Sequence, residues 1–275
     1  MVDNHHSQLV TCGTVFQGTC HSRRLYNISL NKSEVVNSEG TYQFVASTKH
    51  SNPAVAFVAP GPYNNISLYV GTDDQPHSRT LYEAREYTCG VTRRYLSGNK
   101  IFEIPTRSAA GFGWFARLSE NAASSPNFVV KYVTGFSVGN FSYFLSTQPA
   151  DYPPISSTPI VSKLAQVCHQ DVRFDSYVEM PISCQSSQKD YKLIQAASLV
   201  QPGTSLGLPS SEYLLAAVFY GQPDSALCVY RLSDIRRRFT DNLQVCLNLP
   251  TLYAGRQFDT EETGLRLCKH DTQVR

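Results

Sequence analysis

Apolar and polar positions alternate along most of this chain in strand-length runs rich in Val, Tyr, Phe and Thr, each cut off by a cluster of Pro, Gly, Asn or Ser. That period of two, with turn residues at its ends, predicts short β-strands. Strand pairs stand out at 54–60 with 66–71, at 128–136 with 141–146, and at 192–200 with 212–221. Their second members close at Gly71, Ser146 and Gly221, which are equally spaced, so the chain reads as a coarse repeat with long loops inserted. One further strand is predicted after each pair, near 79–85, 159–167 and 225–232, and others at 8–13 and 41–48. A repeated unit of this kind cannot bury both of its faces alone, which suits the radially stacked sheets of an incomplete β-propeller; a β-sandwich with irregular loops is the alternative. Helix is predicted clearly at one place. Ser233 can cap a turn after which Ile235, Phe239 and Leu243 share one face, with Arg236, Arg237 and Arg238 mostly toward water.

With 41% apolar and 17% charged residues over 275 positions, the chain has the means to build a core and is too apolar to be disordered. Lys and Arg total 24 against 22 Asp and Glu, a net charge of +2, so no broad field draws nucleic acid or an anionic membrane. No apolar run approaches the roughly 20 residues of a membrane span, and the longest, at 213–220, is strand-sized. The opening Met1-Val2-Asp3-Asn4-His5-His6 lacks the apolar core of a signal peptide, so a secreted form needs a leader ahead of Met1. Eight cysteines fit either reduced thiols or a disulfide framework. Four Asn-x-Ser sequons, at Asn27, Asn31, Asn65 and Asn140, favour the oxidising secretory route and the framework.

Four stretches carry a family resemblance. Cys12-Gly13-Thr14-Val15-Phe16-Gln17-Gly18-Thr19-Cys20, followed by Arg23-Arg24-Leu25, resembles the opening segment of plexin Sema domains. Val55-Ala56-Phe57-Val58-Ala59-Pro60-Gly61-Pro62, leading to Leu68-Tyr69-Val70-Gly71-Thr72, is similar to the next part, and the hairpin at 128–148 follows in family order. The most specific stretch runs from Lys163-Leu164 through Cys168, Asp171, Phe174, Ser176-Tyr177-Val178-Glu179 and Pro181 to Cys184. Gln195-Ala196-Ala197, Ser225-Ala226-Leu227-Cys228 and the amphipathic helix come after it. The resemblance runs to Cys246 and fades over 247–275. The hepatocyte-growth-factor receptor group, which shares the first loop and the Ser-Tyr-x-Glu-x-Pro stretch, is the nearest alternative.

The resemblance implies an all-β, Sema-type propeller of seven blades, of which one partial domain over 1–275 supplies about half, with the short helix in an insertion. It implies that Cys12 pairs with Cys20, Cys184 with Cys228, and Cys246 with Cys268, where spacing alone leaves the pairing open. Cys168 then lacks its family partner and is either free or facing Cys89. The function implied is a ligand-binding receptor ectodomain at the outer face of the plasma membrane, taking a semaphorin in cell and axon guidance. Receptor homodimerisation, and a membrane anchor and signalling region downstream, are implied with it. The alternative is the ectodomain of a receptor tyrosine kinase of the growth-factor type. No nucleic acid, cofactor, metal or catalytic residue is implied, and the ligand-contacting residues are left open.

Other chemistry is set aside on context. Gly203-Thr204-Ser205-Leu206-Gly207 has a nucleophile-elbow spacing, but Pro202 and Pro209 frame it as a loop between β segments. Gly111-Phe112-Gly113-Trp114-Phe115-Ala116 lacks the βαβ setting of a dinucleotide loop. His5-His6, Cys20-His21, Cys168-His169 and Cys268-Lys269-His270 lack zinc-ligand spacing and read as surface histidines and disulfides. Arg23-Arg24 and Arg93-Arg94 are dibasic pairs of the kind proteases cut, a reading given little weight. Most aromatics sit among apolar neighbours and read as core, whereas Tyr63, Tyr152 and Trp114 lie in loops and are candidates for a binding surface.

Overall fold

The computed structural model of the chain describes residues 1–14, 18–33, 45–47, 54–72, 90–98, 101–105, 115–118, 129–150, 158–174, 176–248 and 258–260. Strands β1 (Val2–Asp3), β2 (Gln8–Cys12), β3 (Cys20–Arg24) and β4 (Asn27–Ser33) form the first antiparallel sheet in chain order. The second contains β5 (Val55–Pro60), β6 (Ile66–Thr72), β7 (Gly90–Tyr95) and β8 (Phe115–Leu118). The third contains β9 (Lys131–Val138), β10 (Phe141–Pro149), β11 (Ile160–Cys168) and β12 (Val178–Ile182). A small hairpin, β13 (Cys184–Gln185) with β14 (Asp190–Tyr191), leads to the fourth sheet of β15 (Leu193–Val200), β16 (Leu214–Gly221) and β17 (Asp224–Arg231). Helix α1 (Leu232–Asn248) follows, and β18 (Phe258–Thr260) returns to pair with β8.

The strands form because alternate side chains serve two different cores. On β6, Leu68 and Val70 join Val10, Cys20 and Phe102 between the first and second sheets. Tyr69, between them in sequence, points the other way into a core with Val91, Tyr132, Phe144 and Phe174. The same split recurs on β10: Phe144 faces back, while Tyr143 and Leu145 face forward to Leu164, Ile194, Leu215, Phe219, Ile235 and Phe239. Sheets apolar on both faces are therefore stacked in series, each large side chain contributing about 1.5–3 kcal/mol on burial. Strand β5 lies against β9, and β9 against β15. At the first of these contacts Gly135 is required, because a Cβ there would overlap the Phe57 ring.

The three predicted strand pairs stand as β5–β6, β9–β10 and β15–β16. The third strands after 146 and 221 are β11 and β17. In the second sheet the third strand is β7, downstream of the expected position; residues 79–85 lie outside the described residues. Of the predicted strand at 41–48, the described residues 45–47 are not strand: Val45 is buried, and the Val45 and Ala46 amides donate to the Gly18 carbonyl at 3.0 and 2.9 Å. The helix departs from expectation at its start and on one face. It begins at Leu232, and Ser233 donates from its amide and hydroxyl to the Glu212 carboxylate, at 3.2 and 2.6 Å. Those bonds hold Glu212 below the usual carboxylate range. Arg236 does not face water: its Nε donates to Tyr143 Oη at 3.1 Å and its Nη2 to the Val138 carbonyl at 2.9 Å, over the Phe141 ring.

Candidate functional site

β5 and β6 are joined by a tight turn at 61–65. A Cβ at Gly61 would lie 2.5 Å from Ser67 Oγ, so a larger residue there would force Ser67 to shift. Tyr63 and Asn64 then take left-handed backbone conformations, φ 58° and 60°, which cost free energy in non-glycine residues. Three hydrogen bonds hold them there. The Gly61 amide donates to the Asn65 carbonyl at 2.6 Å, and the Asn65 amide to the Pro62 carbonyl at 3.2 Å. The Tyr63 amide donates to Gln170 Oε1 at 3.2 Å, tying the turn to the connection after β11. The turn leaves the Tyr63 ring 79% exposed and the Asn65 side chain outward.

Beneath the turn lies a cavity of about 360 Å³ whose lining includes His5, His6, Tyr63, Asn65, Tyr95 and Arg93. Arg93 is 3% exposed. Its Nε donates to Tyr69 Oη at 3.0 Å, Nη1 to the Asp171 carbonyl at 2.8 Å, and Nη2 to the Cys168 carbonyl at 3.3 Å. The guanidinium also lies 5.1 Å from the Tyr69 ring centre and 4.7 Å from that of Phe174. One side chain from β7 thus pins the third sheet's connecting loop to the second sheet. Asp171 is occupied locally, its Oδ2 accepting from the Ser176 amide and hydroxyl, both at 2.6 Å.

Next to this clamp His169 is buried, a correction to its reading as a surface histidine. Its Nε2 stands 3.0 Å from Ser137 Oγ and 3.2 Å from Ser142 Oγ. Burial first, and the Arg93 charge second, pull the imidazole down to about 4, so it is neutral at physiological pH. At the rim, His6 Nδ1 meets the Asp3 carboxylate at 2.7 Å. Exposed rings, turn carboxamides and hydroxyls over a rigid base make a surface suited to recognition.

No protein-family model matches the chain. It is 30% identical to Plexin-A4 of Mus musculus over 267 residues, which covers 90% of this chain and 14% of that protein. Plexin-A2 of Homo sapiens is 25% identical over the same span. The solved full extracellular region of plexin A4 superposes with a TM-score of 0.73 at 27% identity, over 90% of this chain and 28% of that one. The chain is similar to plexins along most of its own length. It shares the all-β Sema-domain fold with Drosophila Semaphorin 1a, extracellular domains 1-2, at a TM-score of 0.54 and 20% identity over 86% of this chain and 41% of that one. It spans only 14% of the length of the curated plexins it matches.

Two cysteine pairs stand as the resemblance to plexins implied. Cys12 and Cys20 are bonded across β2 and β3, and Cys184 and Cys228 join β13 to β17. Cys168 is a free thiol, while Cys89, Cys268 and the side chain of Cys246 lie outside the described residues. Asn27, Asn65 and Asn140 are exposed; Asn31 lies on β4, its side chain outside the described residues. Tyr63 is exposed as expected, whereas Trp114 and Tyr152 are not described. Ser205 sits exposed on a short turn between β15 and β16, with no strand-turn-helix around it. The sequence reading missed Arg93 and Arg94: both are buried in β7, which removes them as a protease site. No local pattern marks them, because their partners lie elsewhere in the chain, Arg94 Nη1 for example donating to the Phe102 carbonyl at 3.0 Å.

Proposed function

We propose that these residues are part of the ligand-binding Sema domain of a plexin-like receptor, displayed outside the cell and taking a semaphorin as its protein ligand. The observation that carries this reading is the match to the plexin A4 extracellular region over 90% of the chain. Serial stacking of the sheets, β5 on β9 and β9 on β15, supports a propeller arrangement; the proposal takes it to have seven blades, with residues 1–275 as one partial domain supplying about half. Such a frame holds turns like 61–65 at fixed positions, where binding residues concentrate. A membrane anchor and signalling region downstream, receptor pairing and a role in cell and axon guidance belong to the same proposal. So do a Cys246–Cys268 bridge and glycans on Asn27, Asn31, Asn65 and Asn140. The role is recognition rather than catalysis. The test is to capture the complete ectodomain on a surface and titrate semaphorin ectodomains over it. Saturable binding by at least one semaphorin is expected; none across all the semaphorin classes would overturn the reading.

A further inference from the structure

Asn65 and Tyr63 line the same cavity and are both exposed. Neither side chain makes a hydrogen bond, and the Tyr63 ring meets no other ring, among the described residues. Tyr63 nevertheless occupies a left-handed backbone position, held by bonds to its amide and the turn around it, which fixes where the ring projects. A large ring is thus presented to water in a constrained geometry at the edge of that cavity.

We infer that the innermost sugar of an N-linked glycan on Asn65 stacks on the Tyr63 ring at the mouth of this cavity. Residues 63–67 read Tyr-Asn-Asn-Ile-Ser, an aromatic two positions ahead of the sequon asparagine. In the other three sequons that position is Leu25, Ser29 or Val138. The Gly61-to-Asn65 hydrogen bond folds the chain back, and Tyr63 and Asn65 both line the cavity. N-acetylglucosamine presents axial C–H groups on one face, which pack on the electron-rich face of an aromatic ring, and an acetamide that seeks hydrogen-bond partners. The cavity supplies polar partners from His5, Asn64 and Ser97, and a second ring in Tyr95. In the linkage, Asn65 Nδ2 bonds to the anomeric carbon of the sugar and loses one proton, and the pyrophosphate of a lipid-linked oligosaccharide donor leaves. Ser67 is buried after folding, but the sequon is read on the extended chain before β6 is paired. The sugar would act as a strut, relieving the exposure of Tyr63 and fixing the lip of the recess.

The inference rests on the extracellular placement proposed above, and the experiment separates the two. The complete protein is expressed in animal cells as wild type, Tyr63→Ala, Asn65→Gln, the double variant and Tyr63→Phe. Mass spectrometry reads sequon occupancy, and hydrogen exchange reads the Gly61, Tyr63 and Asn65 amides. Asn65→Gln is expected to speed exchange about five-fold. Tyr63→Ala should do the same only while the sugar is present, and Tyr63→Phe should keep the wild-type rate. Equal acceleration by Tyr63→Ala with and without the sugar would overturn the stacking. A bare Asn65 on a chain glycosylated at Asn27 or Asn140 would overturn it too, leaving the extracellular placement standing. Sugar at no sequon would remove both.

Discussion

Arg93 is a permanent charge almost wholly withdrawn from water, which is tolerable only because three neutral oxygens and two ring faces replace its hydration. Beside it His169 is held neutral down to about 4, by its own burial first and by the Arg93 charge second. The unfolded chain takes up the proton near 6.5 and the folded one does not until about 4, so the unfolded state binds more protons across that window. Stability is therefore full above the unfolded value and falls as pH drops through the window, by about 1.4 kcal/mol per unit at most. Urea unfolding at pH 7 and pH 5 is expected to give a smaller loss for His169→Gln than for wild type. Equal losses would place the titration elsewhere. None of this was legible in the sequence: an Arg-Arg pair and a Cys-His pair look like surface features until β7 and the connection after β11 are packed together. Cys12–Cys20 and Cys184–Cys228 were legible through the family resemblance, since the pairing depends on register that spacing does not encode.

At the scale of elements, the strand pairs were readable because alternation and turn residues are local signals, and β5–β6, β9–β10 and β15–β16 carry both. The third strand of the second sheet was not, because it lies beyond a long connection and its polar Thr92, Arg93 and Arg94 break the apolar pattern while being buried. The helix was readable from Ile235 and Phe239, both buried, but the roles within its arginine run were not. Arg236 bonds to Tyr143 and the Val138 carbonyl, whereas Arg237 reaches Asp234 on the exposed side and Arg238 is exposed. Arg236→Ala is expected to cost about 2 kcal/mol, by unsatisfying the Val138 carbonyl and uncovering Phe141. Arg237→Ala and Arg238→Ala should each stay within about 0.5 kcal/mol. Denaturant unfolding of the three variants distinguishes this pattern from a uniformly solvated run, which predicts three small and similar effects.

At the scale of the whole molecule, the fourth sheet ends the described stack, and its two faces have different fates. Ala197, Leu199, Leu215, Ala217, Phe219, Ala226, Cys228 and Tyr230 pack toward the third sheet and α1. The opposite face is also apolar: Leu227 pairs across from Val218 and Val229 from Ala216, yet Leu227 is 66% exposed and Val229 56%. A sheet apolar on both faces is built to be covered on both. Within the proposed propeller the cover is the following blade, so the face is a buried interface in a complete ring and a sticky surface in a chain that stops at Arg275. Opposite effects in two lengths of the same chain are expected from one substitution. In the 275-residue chain, Leu227→Lys should reduce dye binding to exposed apolar surface and lower the tendency to self-associate, measured by light scattering. In the complete ectodomain, the same change forces a charge into the interface, and secretion should fall with a loss of stability of several kcal/mol. If the substitution were harmless in the complete ectodomain, this face would stay open to solvent there, and radial stacking would end with the fourth sheet.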